Sequence, residues 1–276
     1  MGSPLNIVRT LLLLPAFVFV GGLAAFIWQA NANPSAVPAN PPRTIVIGID
    51  LSSSNPLIRD DSFAQRVAAR VGPYISNLAP RSRVILRSFG AYNSSANSPL
   101  TLDVLIAPKT ARAEDMANLI SSVIANVPQM VRQGRIQEQS STNIVPFLMN
   151  ISKVVNCKAM PTHIILATDG VEDSQVADLT RRRNTLPPPE GAPFAGCQEL
   201  LILGVGRGLG SPADTERLRN EWGNWARAAG FLSYTGLNDW RSPVASGCLP
   251  DARHARAAYE APSPDPAWPT ACPRRR

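Results

Sequence analysis

The chain has few of the residues on which most catalytic sites depend. It contains two histidines, His163 and His254. The first begins an apolar run and the second lies near the C-terminus, so neither is well placed as the base of a Ser-His-Asp set. The glycine-rich stretch 204–210 lacks both the G-x-G-x-x-G spacing and the Gly-Lys-Ser/Thr ending of nucleotide-binding loops. The sequence therefore predicts neither a catalytic triad nor a nucleotide site.

Aromatic residues are also sparse, at 6% of the chain. The balance of 27 Lys and Arg against 20 Asp and Glu gives a net charge of +7, which could favour an anionic partner. Basic residues are dense only at 181–183 and 274–276, and no aromatic side chains interleave with them to stack on bases. We therefore predict that the protein does not bind nucleic acid.

The N-terminal segment has no charged residue from Leu11 to Trp28. Arg9 is the only basic residue before this run, and the next is Arg43, an asymmetry that predicts a cytoplasmic N-terminus and an exported remainder. The length of the run and its final Trp28 favour an uncleaved anchor, whereas Ala30-Asn31-Ala32 resembles a cleavage site that would release a secreted or periplasmic chain. We assign residues 1–32 to a signal peptide or a single-pass membrane anchor.

The exported part divides by composition into three regions. Residues 33–42 are rich in Pro, Ala and Asn and form a predicted linker. Residues 43–241 alternate strand and helix patterns and form the predicted domain. Residues 242–276, rich in Pro, Ala and Arg with little periodicity, form a predicted tail.

Within the predicted domain, apolar runs alternate with helical stripes. The runs predict strands at 44–50, 83–89, 100–106, 163–168, 199–205 and 231–235, the second and third forming a hairpin. The stripes predict helices at 63–78, 116–131 and 143–155, and a last helix with Ser211 as its cap, Pro212 in its first turn and Gly230 at its end. Strands separated by such helices imply parallel β-α-β units with right-handed crossovers. We predict an α/β fold with an open, mostly parallel, doubly wound sheet, helices on both faces and one short antiparallel edge strand.

Four cysteines, Cys157, Cys197, Cys248 and Cys272, show no C-x-x-C spacing and no nearby histidine at ligand spacing. In an exported chain this pattern favours disulfides over zinc, with free core thiols as the alternative. Cys157 and Cys197 each precede a predicted strand, so neighbouring strands would bring them together at one edge of the sheet. We predict the pairs Cys157–Cys197 and Cys248–Cys272.

Oxygen-bearing side chains gather where predicted strands end or helices begin. Asp50, Ser52 and Ser54 leave the first strand at alternate positions, Thr142 precedes a helix, and Asp169 follows the run 163–168. In an open α/β sheet such positions surround the crevice beyond the carboxyl ends of the strands. Two carboxylates among hydroxyls form an all-oxygen set that suits a hard cation, so we expect Mg²⁺, with Mn²⁺ or Ca²⁺ as alternatives.

The same residues resemble a known family. Asp50-x-Ser52-x-Ser54, then Thr142, then Thr168-Asp169-Gly170 are similar, in this order, to the metal-ion-dependent adhesion site of the von Willebrand factor A domain. The resemblance covers about residues 43–240, and Ser53 stands where the family often has Gly. It implies that the three hydroxyls contact the metal directly and that the two aspartates act directly or through water. It also implies that an acidic residue of a protein partner completes the coordination.

The sequence therefore predicts a metal-dependent protein-binding module outside the cytoplasmic membrane, and not an enzyme. One alternative is a metal-dependent phosphoryl-transfer enzyme with Asp50 as nucleophile, but such a site requires a second acidic residue where Ser52 stands. The other alternative is a structural domain of an envelope complex that does not bind its partner through a metal.

Overall fold

The computed structural model describes residues 41–91 and 98–240. Residues 1–32, most of the linker 33–42 and the tail 242–276 lie outside these ranges, and so do Cys248, His254 and Cys272. Their assignments and the pairing of Cys248 with Cys272 therefore stay predictions. Within the described ranges, no helix is both long enough and apolar enough to cross a membrane.

In the residues that the structure describes, six strands form one sheet, and five α-helices pack against it. The strands are β1 (Thr44–Asp50), β2 (Arg83–Phe89), β3 (Thr101–Leu105), β4 (Thr162–Ala167), β5 (Glu199–Leu203) and β6 (Ser233–Leu237). The α-helices are α1 (Asp61–Ser76), α2 (Ala113–Ala125), α3 (Val127–Arg132), α4 (Ile144–Ser152) and α5 (Pro212–Ala229), and a short 3-10 helix spans Pro56–Ile58.

The strand order is β3-β2-β1-β4-β5-β6, with β3 antiparallel to β2 and every other neighbouring pair parallel. This is the predicted mostly parallel sheet with one short antiparallel edge strand. The central strand β1 is buried at all seven positions because both of its faces are covered. Because β1 and β4 are neighbouring parallel strands, the loops that follow them lie side by side at the carboxyl edge.

The core has two layers, one on each face of the sheet. Ile45, Ile47 and Ile49 of β1 face the layer that contains α1, α2 and α3, and Val46 faces the layer that contains α4 and α5. Gly48 allows a close approach on the second face, because a Cβ there would lie 2.6 Å from Leu166 and 2.8 Å from Phe147 of α4. Helices thus cover both faces of the sheet, as predicted.

Two local predictions were wrong. The single helix predicted at 116–131 is broken into α2 and α3 at Asn126, because Pro128 has no N–H to continue the first helix and fits only the first turn of a new one. The last strand begins at Ser233 and not at Phe231, whose ring instead stacks on Phe194 with the ring centroids 4.6 Å apart.

The disulfide between Cys157 and Cys197 is present, with the two Cα atoms 4.7 Å apart. It joins the segments that enter β4 and β5 at the amino edge of the sheet, as predicted. The long segment from Val171 to Ala195 between β4 and β5 packs against the domain. Its residues Leu179, Leu186 and Phe194 are buried in the layer of α4 and α5.

Candidate metal site at the carboxyl edge

Asp50 is the last residue of β1, and its side chain is completely buried. Its Oδ1 accepts a hydrogen bond from the backbone N–H of Ser52 at 2.8 Å. Its Oδ2 accepts one from the hydroxyl of Thr168 at 2.7 Å. Burial raises the pKa of the Asp50 carboxyl, and the negative charge of Asp169 raises it further, against the lowering effect of these hydrogen bonds.

Asp169 lies two residues beyond the end of β4 and is 3% exposed. Gly170 adopts φ = 75°, a left-handed conformation that turns the chain at once, and the Asp169 Oδ1 accepts a hydrogen bond from Val171 N at 2.9 Å. Burial raises the pKa of this carboxyl as well. Neighbouring parallel strands therefore bring together two buried carboxylates that disfavour each other's ionisation.

Ser52 and Ser54 bring hydroxyls to the same place. Their Oγ atoms are 3.2 Å apart, and Ser54 also forms a side-chain hydrogen bond with Asp169. Ser52 is buried, whereas Ser54 is exposed. These residues form a cluster that is buried on the side of the sheet and open to solvent at Ser54. Its members are Asp50, Ser52, Ser54 and Asp169.

Thr142 lies in the segment between α3 and α4 and is buried. Gln139 of this segment donates from its backbone N–H to Leu51 O and accepts from Ser53 N, both at 2.8 Å. Thr142 itself exchanges two backbone hydrogen bonds with Asp173, at 3.2 and 2.9 Å. These bonds place Thr142 between the loop after β1 and the loop after β4, the two that carry the other four residues.

Asn55 is a supporting residue that the sequence patterns did not identify. It is buried, and its Nδ2 donates to the carbonyls of Asp50 at 2.7 Å and Ala167 at 3.1 Å. Its Oδ1 accepts from Leu57 N at 3.2 Å and caps the 3-10 helix. Asn55 therefore ties the last residues of β1 and β4 together directly beneath the site. Its place just before Pro56 is a recognisable cap signal, but that signal does not predict the contact with β4.

Two further buried side chains hold the loop that carries Asp169. The Glu172 Oε2 accepts hydrogen bonds from the backbone N–H groups of Ile144 and Val145, the first residues of α4, at 2.8 and 2.9 Å. Burial raises the pKa of Glu172 to about 7. The indole of Trp222 in α5 donates to Gly170 O of the same loop at 2.7 Å. No periodicity in the sequence distinguishes Glu172, and Trp222 reads as an ordinary core position of a helix.

The donor chemistry of this site fits a hard divalent cation. The predicted set offers only oxygen atoms, and two of its five residues carry carboxylates that are buried together, so a cation would offset both the desolvation and the repulsion of these carboxylates. Within the described ranges, no group of three or more His, Cys, Asp or Glu side chains is arranged to hold a metal. A metal at this site would therefore use hydroxyl and water oxygens besides the two carboxylates.

His163 lies at the amino end of β4, at the edge opposite Asp50 and Asp169. Its Nδ1 is 3.5 Å from Glu199 Oε2, which also accepts from the Tyr74 hydroxyl at 3.3 Å. This polar group is separate from the carboxylate cluster.

The sheet and the site define the chain as an open α/β domain with an oxygen-rich cluster at its carboxyl edge. No family model and no curated protein match the chain. Among solved structures, an aerotolerance-related membrane protein from Bacteroides fragilis, determined with multiple mutations to serine, is similar at 12% identity and a TM-score of 0.38. That match covers 71% of this chain and 92% of that one.

The human COPII-coat protein Sec24c is also similar, at 12% identity and a TM-score of 0.34. This match covers 72% of the present chain and 30% of Sec24c. At such identities and TM-scores, neither likeness indicates what this chain binds.

Proposed function

We propose that residues 43–240 form a metal-dependent protein-binding module of the von Willebrand factor A type. In this proposal, Asp50, Ser52, Ser54, Thr142 and Asp169 hold a divalent cation, for which Mg²⁺ is our first choice. The observation that carries the proposal is the burial of Asp50 beside Asp169, with burial and mutual repulsion raising the pKa of Asp50. In the part of the chain that the structure describes, no basic side chain acts on the pKa of either carboxylate. Two such buried carboxylates are costly, and a cation removes that cost.

The open side of the cluster supports a partner that offers a carboxylate. The exposed Ser54 marks the side on which solvent, or a ligand replacing it, would reach the cation. A hard cation prefers oxygen ligands, and an Asp or Glu of a protein partner is the strongest such ligand available on protein surfaces. We therefore propose that the partner's acidic side chain completes the coordination, and that the domain itself performs no chemistry.

We also propose that the module acts in the cell envelope, outside the cytoplasmic membrane. This part depends on the uncharged run within residues 1–32 and the asymmetry of basic residues around it. An uncleaved segment would tether the domain to the membrane, and cleavage after Ala32 would release it.

The test is binding of Mg²⁺ and Mn²⁺ to the purified full-length chain, followed by affinity capture of envelope proteins with and without chelator. Asp169→Asn keeps the size of the side chain and an acceptor for Val171 N while removing one ligand charge. It should abolish both metal binding and metal-dependent capture. The matched control is Asp115→Asn on α2, where the carboxylate is exposed and paired with Arg112. This control should behave as wild type.

The outcomes separate the alternatives. Capture that depends on metal in wild type and disappears in Asp169→Asn supports the proposal. Capture that is equal in every condition would overturn it. Metal binding that stabilises the fold without affecting capture would instead favour a structural domain, in which the cation only holds the loops together.

A further inference from the structure

We propose that Glu172 is a positioning residue of the metal site, which sets the affinity for the cation without having to touch it. It does so by fixing the segment that carries Thr142 to the loop that carries Asp169. This inference rests on the proposed function, because it concerns the same cation.

The Glu172 side chain lies at the start of α4, whose first residue, Ile144, follows Thr142 by two positions. The first N–H groups of a helix have no partner within the helix and need an outside acceptor. Here the Glu172 Oε2 accepts from Ile144 N and Val145 N at 2.8 and 2.9 Å. When it is ionised, this carboxylate also interacts favourably with the positive end of the α4 dipole. A residue distant in sequence thus serves as the cap of α4, which its own Asn143 does not cap through its side chain.

A second link joins the same two segments. Thr142 and Asp173 exchange backbone hydrogen bonds in both directions. The Asp169 loop is therefore hydrogen-bonded to the Thr142 segment at two successive residues. Glu172 bonds through its side chain and Asp173 through its backbone. The Trp222 indole also holds Gly170 O, so Asp169 has little freedom to move relative to Thr142.

A helix-capping role alone would make Glu172 important for stability but not for the metal. The two roles differ in what is measured. Loss of a cap lowers the free energy of unfolding of the metal-free protein. Loss of positioning also weakens binding of the cation, because two of the five ligands, Thr142 and Asp169, would no longer be held in one arrangement. Removal of the negative charge of Glu172 would also weaken binding of the cation. The test must therefore separate the effect of charge from the effect of position.

The experiment compares Mn²⁺ dissociation constants of the full-length wild type, Glu172→Ala, Glu172→Gln and the control Glu199→Gln. Glutamine keeps an oxygen that can accept from both N–H groups but lacks the charge, whereas alanine loses both. Glu199 is a matched control because it is another mostly buried, hydrogen-bonded glutamate, at the amino edge of the sheet away from the site. We expect Glu172→Ala to weaken Mn²⁺ binding by about 10- to 100-fold, the range for residues that support metal ligands. Glu172→Gln should weaken it clearly less, and Glu199→Gln should leave it unchanged.

Several results would overturn the inference while leaving the proposed function intact. One is wild-type affinity in Glu172→Ala despite a loss of stability, and another is equal weakening by Ala and Gln, which would indicate charge alone. If Glu172→Ala does not fold, hydrogen exchange of wild type decides: Mn²⁺ should slow exchange of the Ile144 and Val145 amides, and unchanged exchange there would refute the coupling. If wild type binds no Mn²⁺ at all, the proposed function and this inference fail together.

Discussion

Replacing Asn55 by alanine should be among the most destabilising polar substitutions in this domain. The side chain donates to the carbonyls of Asp50 and Ala167 and accepts from Leu57 N, and it is 1% exposed. Alanine would leave these three backbone groups without that partner at a site to which water has little access. A hydrogen bond contributes roughly 0.5–1.5 kcal/mol, so we expect Asn55→Ala to lower the free energy of unfolding by about 3 kcal/mol.

The measurement is urea unfolding of the full-length chain at constant pH with chelator present, so that no metal contributes to stability. For a domain of this size, a loss of about 3 kcal/mol corresponds to a fall in Tm of roughly 6–12 °C, which thermal unfolding can check independently. The control is Asn238→Ala, because Asn238 is only partly buried and donates one hydrogen bond, to Val205 O at 2.9 Å. Its expected loss is about 1 kcal/mol.

The difference between Asn55→Ala and Asn238→Ala tests whether Asn55 joins the two strands. If Asn55→Ala costs no more than Asn238→Ala, or less than about 1 kcal/mol, Asn55 does not join the ends of β1 and β4 in the way described. The site would then have to keep its shape by other contacts.

Three other predictions concern the contacts around the site and the opposite edge. The pKa of Glu172 is about 7 in the folded state against an ordinary value of 4.5, so the folded state binds this proton more tightly than the unfolded state does. The metal-free protein should therefore lose stability as the pH rises from 4.5 to about 7, and Glu172→Gln should make that loss smaller in thermal unfolding, with the remainder due to Asp50, whose pKa burial also raises. Trp222→Phe removes the donor to Gly170 O from a fully buried position, so we expect a loss of about 2 kcal/mol in urea unfolding, and an unchanged midpoint would contradict this contact. The disulfide between Cys157 and Cys197 closes a loop with a sequence separation of 40, so the double alanine variant should lose about 4 kcal/mol, and wild-type stability under non-reducing conditions would be the contrary result.

The strand patterns predicted the sheet well because burial acts on whole segments. The run at 44–50 and the hairpin partners at 83–89 and 100–106 differ from the observed strands by at most one residue at either end. The single helix predicted at 116–131 was wrong because its apolar stripe continues across Pro128. Its missing N–H decides locally what periodicity over several turns cannot.

The site residues were also predictable from the pattern of buried strands. Asp50 and Asp169 are recognisable because the first ends a buried strand and the second follows one, and the carboxyl ends of neighbouring parallel strands must meet at one edge. The structure brings these two together with Ser52 and Ser54, and places Thr142 in the adjoining segment. Whether a metal binds there stays a prediction until binding is measured.

The sequence by itself thus determined the α/β class, the positions of most strands, the edge at which polar residues collect and the disulfide partners Cys157 and Cys197. Each of these follows from local patterns of burial and from the order of elements along the chain. Only the tertiary structure revealed that Asn55 reaches β4, that Glu172 caps α4 and that Trp222 holds Gly170. These contacts join residues that are 112, 28 and 52 positions apart. The hydrogen-bond partner of a single side chain produces no periodic pattern in the sequence. Packing decides that partner, and the sequence neighbours of the side chain do not.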